Sequence, residues 1–216
     1  MTKLKASWLL AVVVMLVVTS VAPAALITSI ARRNPDSNSG DTEPAFVTGG
    51  MAEDAKTFVD RNHEYNQVPL EGLGADYVKT ANDDKDNPNF ELDVTIGGNA
   101  ILALILDNRL GHGSQGGAEL LDPDLVAAGM QWVLDMGFVD SGLNIGIDEI
   151  GTAGDINNWG SIFIKYVGPG TYTLLKQNDA TNAGGRNMYG VAAIVPEPAT
   201  MLLLGLGGLA LARRRR

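Results

Sequence analysis

Hydrophobic and polar side chains alternate from Phe90 to Ile96, so that every second residue is apolar. A period of two is typical of a β-strand with one buried face. The run that follows, from Ile101 to Leu106, is apolar throughout and predicts a more deeply buried strand. Gly97-Gly98-Asn99 separates the two segments and favours a hairpin turn. The middle of the chain is therefore predicted to consist of antiparallel strands.

Short strand candidates recur after Pro69, and glycine-rich segments such as Gly168-Pro169-Gly170 separate them. Short strands at this spacing indicate a mainly β fold, an antiparallel β-sandwich or jelly roll. One short N-terminal helix is predicted within Met51–Asn66, where two apolar residues lie among charged ones. The remaining strand candidates are Tyr77–Thr80, Gln131–Leu134, Leu143–Ile147, Ser161–Val167, Thr171–Leu175 and Tyr189–Val195.

The N-terminal segment has the pattern of an export signal. Lys3 and Lys5 precede an apolar run from Trp8 to Val18, and Ala22-Pro23-Ala24 follows it. A positive region, an apolar region and an Ala-x-Ala site together predict a secretory signal peptide over residues 1–25. An uncleaved N-terminal anchor is the alternative.

Two further boundaries follow from composition. Residues 26–44 are rich in Asn, Asp, Ser and Pro, and they are predicted to be a flexible linker. Residues 45–195 contain the predicted strands and are expected to form one β-sandwich domain.

The C-terminal segment, 196–216, has three parts. Pro196-Glu197-Pro198 is stiff, because each proline fixes φ and lacks an N–H. Ala199–Ala212 carries no charge, and as a helix it would measure roughly 21 Å, less than the roughly 30 Å of a bilayer core. The chain ends in four basic residues, which favour the cytoplasmic side as a stop signal: Arg213, Arg214, Arg215 and Arg216. The pattern predicts a short C-terminal transmembrane helix.

This tail resembles the PEP-CTERM sorting signal of Gram-negative bacteria in Val195-Pro196-Glu197-Pro198, in the Leu/Gly-rich span and in the terminal arginines. The resemblance covers about a tenth of the chain. It implies processing by an exosortase, a membrane-embedded cysteine transpeptidase, and an association with exopolysaccharide and biofilm. It also implies export across the inner membrane, membrane anchoring before processing, and then a cell-surface or extracellular location. An ordinary C-terminal anchor is the alternative.

Charge excludes one class of partner. The chain has 16 basic and 25 acidic side chains, for a net charge of −9. Six of the basic residues are Lys3, Lys5 and the four terminal arginines, so the remaining 10 face 25 acidic side chains, a net −15. Such a domain does not bind nucleic acid by charge. The absence of cysteine also excludes disulfides and thiolate chemistry.

The sequence contains few candidates for catalysis. A Ser/His/Asp site would need His63 or His112, and Gly111–Gly116 is not a nucleophile elbow, because His112 stands two residues before Ser114. Paired carboxylates suit glycoside hydrolysis, although spacing alone does not show that any pair shares a cleft. We therefore expect no enzyme activity. The available pairs are Asp83-Asp84, Asp122/Asp124 and Asp148-Glu149.

Oxygen-rich loops make structural Ca²⁺ the one cofactor that the sequence raises. Carboxylate and amide oxygens are the ligands that this hard cation prefers. Asp and Asn are also common turn residues that bond their own backbone, which is the alternative reading of both loops. The candidate ligands are Asn82, Asp84 and Asp86 in one loop and Asp148, Glu149 and Asp155 in the other.

Aromatic side chains are the usual platforms for sugar rings, and the chain has few of them. Trp159 follows Asn157-Asn158 in a polar segment and is the candidate for an exposed ligand-binding ring. Core packing is the commoner use of such residues in a sandwich.

Several segments resemble the exported domain of a set of PEP-CTERM proteins of unknown function. The resemblance implies one sandwich domain, with a strand pattern like that of carbohydrate-binding jelly rolls, and carries over no catalytic residue. The matching segments are Asp60–His63, Gly74–Val78, Thr80–Lys85, Leu106–Arg109 and Asn187–Val191.

Together these features predict a non-enzymatic, exported cell-surface or extracellular-matrix protein that binds polysaccharide. Its expected partners are an exosortase, the secretion machinery and the membrane, through the C-terminal helix. Two alternatives stay open. One is a polysaccharide-active hydrolase or lyase with an acidic active site, and the other is a structural biofilm-matrix protein without a specific ligand.

Overall fold

The structure, a computed structural model, describes residues 25–35, 42–113, 121–177 and 185–196 of the 216-residue chain. Within these ranges the protein is mainly β, as the sequence predicts. The predicted signal helix and the predicted transmembrane helix both fall on residues outside the described ranges.

The described residues form eleven strands, one α-helix and two 3-10 turns, the turns at Leu70–Gly72 and Asn82–Asp86. The elements in chain order are β1 (Ile27–Arg33), β2 (Ala45–Val47), β3 (Ala55–Lys56), β4 (Glu64–Asn66), β5 (Asp76–Lys79), β6 (Glu91–Ile96), β7 (Ala100–Asp107), α1 (Trp132–Asp135), β8 (Val139–Asp148), β9 (Asn158–Val167), β10 (Gly170–Leu175) and β11 (Gly190–Ile194).

The strands form two antiparallel sheets that pack as a sandwich. The small sheet has the order β1-β6-β10, and the large sheet has the order β2-β5-β11-β7-β9-β8-β4-β3. The chain passes from the large sheet to the small one through the predicted turn at Gly168-Pro169-Gly170, between β9 and β10. Every named strand pair is antiparallel.

The alternation in β6 and the unbroken apolar run in β7 have different causes in the fold. Leu92, Val94 and Ile96 are buried in the core between the sheets, and the residues between them are partly exposed. Strand β7 lies inside the large sheet, and both of its faces are covered. Its even-numbered residues enter the main core, while Ala103 and Ile105 enter a second cluster on the outer face.

The second cluster forms because residues 51–75 fold over the outer face of the large sheet. Tyr65 and Tyr77 meet there edge to face, with ring centroids 6.1 Å apart. They pack with Ile105 of β7 and Ile145 of β8. The chain therefore has apolar layers on both sides of its large sheet.

The helix predicted within Met51–Asn66 is not present. Strands β3 and β4 form a hairpin there, with Ala55 paired to Tyr65 and Lys56 to Glu64. Phe58 and Tyr65 are fully buried, but Phe58 belongs to the main core and Tyr65 to the second cluster on the outer face. Tertiary burial of two separate aromatic rings therefore outweighs the local helix signal.

The strand predicted at Gln131–Leu134 is instead the start of α1. Val133 is buried and Leu134 is exposed, as a single helical turn on the core requires. Gly137 follows with φ of 83°, a left-handed residue that ends the turn. Four residues are too few to distinguish the two periodicities.

Part of the segment predicted to be a linker belongs to the fold. Strand β1 pairs with β6 along its length, from Ile27 opposite Ile96 to Arg33 opposite Glu91. The pairing places polar residues on an edge strand, where charged side chains are common. The composition of this segment resembles that of a linker. The local sequence does not indicate a strand, because the partner strand is about sixty residues away.

Candidate functional site

A polar pocket of about 240 Å³ opens at one end of the large sheet. Strands β4, β8, β9, β7 and β11 are neighbours in alternating directions. One end of the large sheet therefore contains the last residues of β7 and β8 and the first residues of β4, β9 and β11. The 3-10 turn after β5 lies at the same end. The pocket is lined by His63, Asn82, Lys85, Arg109, Glu149, Gly185, Arg186 and Asn187.

Asp107, the last residue of β7, is the buried base of this pocket. Its Oδ1 accepts hydrogen bonds from the backbone N–H and the Nε of Arg109, each at 2.9 Å. Its Oδ2 accepts from Arg109 Nη2 at 2.6 Å, from Asn158 Nδ2 at 2.9 Å and from the backbone N–H of Asn187 at 2.8 Å. The carboxylate thus joins β7, β9 and the approach to β11.

Arg109 is held between two carboxylates. Its Nη2 donates to Asp107 and, at 2.6 Å, to Glu149 Oε1. Burial lowers the pKa of Arg109, but its hydrogen bonds and attraction to Asp107 and Glu149 outweigh burial, so its pKa lies above the ordinary value. The guanidinium is a permanent, oriented cation in the wall of the pocket.

Glu149 follows β8 directly and is the one carboxylate among the described lining residues. Its Oε1 accepts from Arg109, from Asn187 Nδ2 at 2.8 Å and from Asn158 Nδ2 at 3.4 Å. The side chain is 28% exposed. Within the described ranges, Oε2 receives no hydrogen bond, and it is the acceptor available to a ligand.

His63 precedes β4 and lies half-buried in the pocket wall. Its ring contacts Phe58 edge to face, with centroids 5.6 Å apart. Burial lowers the pKa of His63, and the charge of Glu149 opposes that effect without reversing it. The imidazole is therefore mostly neutral at pH 7, and its Nδ1 is buried without a hydrogen-bond partner among the described residues.

The outer face of the large sheet carries a second concavity at the opposite end of the same strands. It is an apolar groove of about 120 Å³ that includes Ile101, Ile164 and Ile194 in its lining. Leu143 and Ser141 of β8 border it. Its walls offer few hydrogen-bonding groups, so the polar pocket is the better candidate for a hydrophilic ligand.

The structure gives the predicted calcium ligands other partners. Asp84 pairs with Arg32 at 2.8 Å, and both side chains are buried. Asp148 accepts the backbone N–H groups of Ile150 and Thr152, as an aspartate does in a turn. Glu149 belongs to the polar pocket.

The remaining candidates do not complete a metal site. Asn82 binds the Met188 N–H at 2.8 Å, and Asp155 accepts through its backbone carbonyl. Asp86, in the 3-10 turn, is exposed, whereas Lys85 and Asn87 on either side of it are buried. Among the described residues, no three histidine, aspartate or glutamate side chains gather as a metal centre would require. Structural Ca²⁺ stays a prediction, which a melting temperature unchanged by EDTA would contradict.

The carboxylates of the predicted pairs bind separate partners and do not face each other across a cleft. Asp83 binds Arg61 while Asp84 binds Arg32. Asp124 accepts the backbone N–H of Ala127 at 3.0 Å. Of all these carboxylates, only Glu149 lines the polar pocket.

Trp159 lies in β9 rather than in a loop, and it is partly buried. Its neighbour Asn158 bonds to Asp107 at the pocket. Because side chains alternate along a strand, Trp159 lies on the other face of the sheet. Its role in ligand binding stays a prediction.

Sequence reasoning did not single out Asp107, Arg109, Lys85, Arg186 or Asn187. Four of the five belong to segments that resemble the exported domain of other PEP-CTERM proteins, but no local motif marks them. The available signal is positional, because three of them lie within three residues of a strand end.

Comparison with solved structures supports the sandwich. A β-glucuronidase from glycoside hydrolase family 2 superposes with a TM-score of 0.55 and 17% identity, over 78% of this chain and 14% of that enzyme. A glycoside hydrolase family 138 enzyme targeting pectin rhamnogalacturonan II matches with a TM-score of 0.42 and 10% identity, over 77% of this chain and 16% of the other. The chain thus spans about one seventh of such an enzyme, and the likeness shows the fold alone.

Comparison with family models identifies the tail. The chain carries a PEP-CTERM protein-sorting motif at residues 195–216. This motif implies export, membrane-associated sorting and an exosortase as processing partner, as the sequence predicts. Comparison with curated proteins gives no match. No helix in the part of the chain that the structure describes is long and apolar enough to cross a membrane.

Val195 and Pro196 are the described part of the sorting motif. Val195 directly follows β11 and is 50% exposed. Glu197, Pro198 and the terminal arginines lie outside the described ranges. The motif therefore begins where the sandwich ends.

Proposed function

We propose that this protein is an exported cell-surface or extracellular-matrix component, delivered by its PEP-CTERM signal, whose sandwich binds polysaccharide in the polar pocket. The observation that carries the proposal is the pocket itself. Glu149, Asn187 and Arg109 present polar groups in one opening, held in place by the buried carboxylate of Asp107. Pre-positioned polar groups favour a hydrophilic ligand over an apolar one.

The chemistry of these groups suits hydroxyl-rich ligands. An ionised carboxylate is a pure acceptor, an amide both donates and accepts, and one nitrogen of a neutral imidazole either donates or accepts according to the tautomer. Sugar hydroxyls also donate and accept, so Glu149, Asn187 and His63 together match a sugar ring edge. The pocket is smaller than the roughly 300–1,000 Å³ of sites for drug-sized ligands, which favours a single sugar residue or a chain end.

A polysaccharide-active hydrolase or lyase is the second candidate, and the likeness to glycoside hydrolases keeps it open. Hydrolysis by paired carboxylates needs two of them flanking the scissile bond. The described lining contributes one, Glu149. We therefore favour binding, and release of reducing ends from a polysaccharide by the purified protein would instead establish the enzyme.

Binding is tested with the full-length protein in detergent on a glycan array, followed by titration of the best ligand. Glu149→Gln and Asn187→Ala are expected to weaken binding at least tenfold. Glu71→Gln, a change of the same kind beside the apolar groove, is the matched control and should bind normally. A folded, exported protein without any glycan ligand would favour the structural matrix component.

A further inference from the structure

Exposed hydrophobic side chains gather at the end of the large sheet that lies opposite the polar pocket. The apolar groove is at this end, and the 3-10 turn at Leu70–Gly72 forms part of its lining together with strands β7, β8, β9 and β11. Extended apolar patches on a protein surface mark contacts with other proteins or with membranes. We call the groove and its border the apolar end. Six of the ten large hydrophobic side chains that are exposed in the described ranges belong to it: Leu70, Leu73, Val139, Leu143, Tyr166 and Val195.

Strand register extends the groove across the outer face of the sheet. Tyr166 of β9 lies opposite Ile101 of β7, which lies opposite Ile194 of β11. Directly paired residues share one face of a sheet, and Ile101 and Ile194 line the groove. The Tyr166 side chain therefore continues their row, and it is 73% exposed. Val139 continues the next row in the same way, opposite Ile164.

The chain leaves the sandwich at this same end. Ile194, the last residue of β11, lines the groove, and Val195 lines an adjoining pocket together with Leu73. The uncharged segment Ala199–Ala212, which the sequence predicts to enter the membrane, begins three residues after Pro196. Three residues span at most about 11 Å. A membrane segment there would hold Pro196, and the apolar end beside it, within about that distance of the bilayer.

The attraction between this end and a bilayer would not come from charge. Glu71 is the one charged side chain among the described residues that line the groove, and it is exposed. The negative surface potential of anionic lipids repels a carboxylate. Apolar surface is transferred from water without any charge, at about 25 cal/mol per Å², and tyrosine is enriched where a membrane meets water. Exposed leucine and tyrosine side chains therefore suit the boundary between lipid head groups and acyl chains.

We infer that the apolar end rests on the surface of the bilayer that the sorting tail enters, with Leu70 and Tyr166 in the boundary between head groups and acyl chains. This inference goes beyond the proposed function, because it assigns a second surface and a lipid partner whichever ligand the pocket takes. It also sets an orientation. The eight residues of β7 measure about 26 Å at about 3.3 Å each, so the polar pocket opens away from the membrane by roughly that length.

The test uses single labels, which the absence of cysteine from the chain allows. Leu70→Cys, Tyr166→Cys and Ile150→Cys are each coupled to a nitrobenzoxadiazole fluorophore in the full-length protein, reconstituted in phosphatidylcholine vesicles. Ile150 is the matched control, because it is 62% exposed and follows Glu149 of the polar pocket. Labels at positions 70 and 166 should emit at shorter wavelength than the label at 150. Lipid carrying a doxyl quencher should quench them several-fold more strongly, and high salt should not change this difference.

A second set of variants tests whether apolar side chains cause the contact. With the label at position 166, Leu70→Ser and Leu73→Ser together should reduce quenching by the doxyl lipid. Val126→Ser changes another exposed apolar side chain, outside the groove lining, and should leave the quenching unchanged. All three side chains are exposed, so the melting temperature should stay close to that of the parent protein.

The outcomes separate this inference from the proposed function. Equal quenching at positions 70, 166 and 150 would overturn it and leave polysaccharide binding standing. Loss of the difference at high salt would contradict an apolar contact. Emission at shorter wavelength without lipid quenching would also overturn the inference. In that case a shift that disappears on dilution into more lipid would indicate a second copy of the chain on the apolar end, and a shift that persists would indicate the protein's own tail.

Discussion

Gly190 begins β11 directly beneath the ring of Tyr65. A Cβ at this position would lie 2.2 Å from Tyr65 Oη and 3.3 Å from Ile105 Cβ. The Tyr65 hydroxyl is fully buried, and it has no hydrogen-bond partner among the described residues. Burial raises its pKa well above the ordinary value, so it stays neutral. Glycine is needed here because the Tyr65 hydroxyl occupies the space that a side chain would fill.

This contact predicts a coupled pair of substitutions. Gly190→Ala should lower the free energy of unfolding by about 1–3 kcal/mol, the usual cost of overpacking. Tyr65→Phe should cost little, because it removes a hydroxyl that makes no bond. The double variant should recover part of the loss, since the clashing atom is gone. Urea unfolding of all four proteins measures the coupling, and purely additive effects would contradict it.

His63 predicts a pH dependence of stability. Burial lowers its pKa in the folded protein below the ordinary value of 6.5. As pH falls below 6.5, the unfolded chain therefore binds more protons than the folded one, and the protein loses stability. In His63→Gln the fall in melting temperature between pH 6.5 and 5.5 should be smaller. An identical slope in wild type and variant would show that other groups cause it.

At the scale of elements, β1 is attached to the domain by two kinds of contact. Its backbone pairs with β6, and Asp76 accepts the N–H groups of Leu26 and Ile27 at 2.6 and 3.0 Å. The buried pair of Arg32 and Asp84 then joins the strand to the 3-10 turn after β5. The edge strand is therefore an integral part of the sandwich.

Neighbouring arginines in β1 provide a matched comparison. Arg32→Ala should lower the free energy of unfolding by about 3–5 kcal/mol, because it removes one partner of a buried ion pair. Arg33 is 53% exposed in its contacts with Glu91 and Asp93, and Arg33→Ala should cost below about 1 kcal/mol. Urea unfolding measures the loss of stability in each variant. Equal losses would mean that the buried pair stabilises the fold no more than the exposed pairs do.

At the scale of the whole molecule, the sandwich ends where the sorting motif begins. Strand β11 lies inside the large sheet, between β5 and β7, and the matched motif starts at Val195. The C-terminal strand is thus secured by pairing on both sides before the chain reaches Pro196. Processing after that point would leave the described sandwich intact.

This arrangement predicts a separation of sorting from folding. Changing Pro196, Glu197 and Pro198 to alanine should abolish processing, because the exosortase loses its motif, while the purified protein keeps its melting temperature. Fractionation and gel mobility of the tagged protein measure location and processing. Replacing Pro88, a proline outside the motif, is the control and should leave processing unchanged. Normal processing of the triple variant would contradict the role of the motif.

The polar pocket shows which contacts the sequence alone does not predict. Glu149 was identified for its oxygen atoms, but its partner Arg109 is forty residues away, and Asn187 is thirty-eight residues away on the other side. Local spacing likewise predicts Asp84 as a calcium ligand beside Asp86, whereas folding brings Arg32 to it. Local spacing identifies chemical groups, and only pairing between distant strands decides which of them meet.

By itself, the sequence determined the features that depend on neighbouring residues. These are the alternation of β6, the apolar run of β7 and the sorting motif at 195–216. The hairpin predicted at Gly97-Gly98-Asn99 is wrong, because β6 and β7 belong to different sheets and the chain crosses between the sheets there. The tertiary structure alone decided that β1 joins the small sheet, that the segment at Trp132 is helical and that a polar pocket forms at one end of the large sheet. The physical reason is that burial and charge pairing depend on residues far apart in the chain, whose proximity exists only after the sheets have formed.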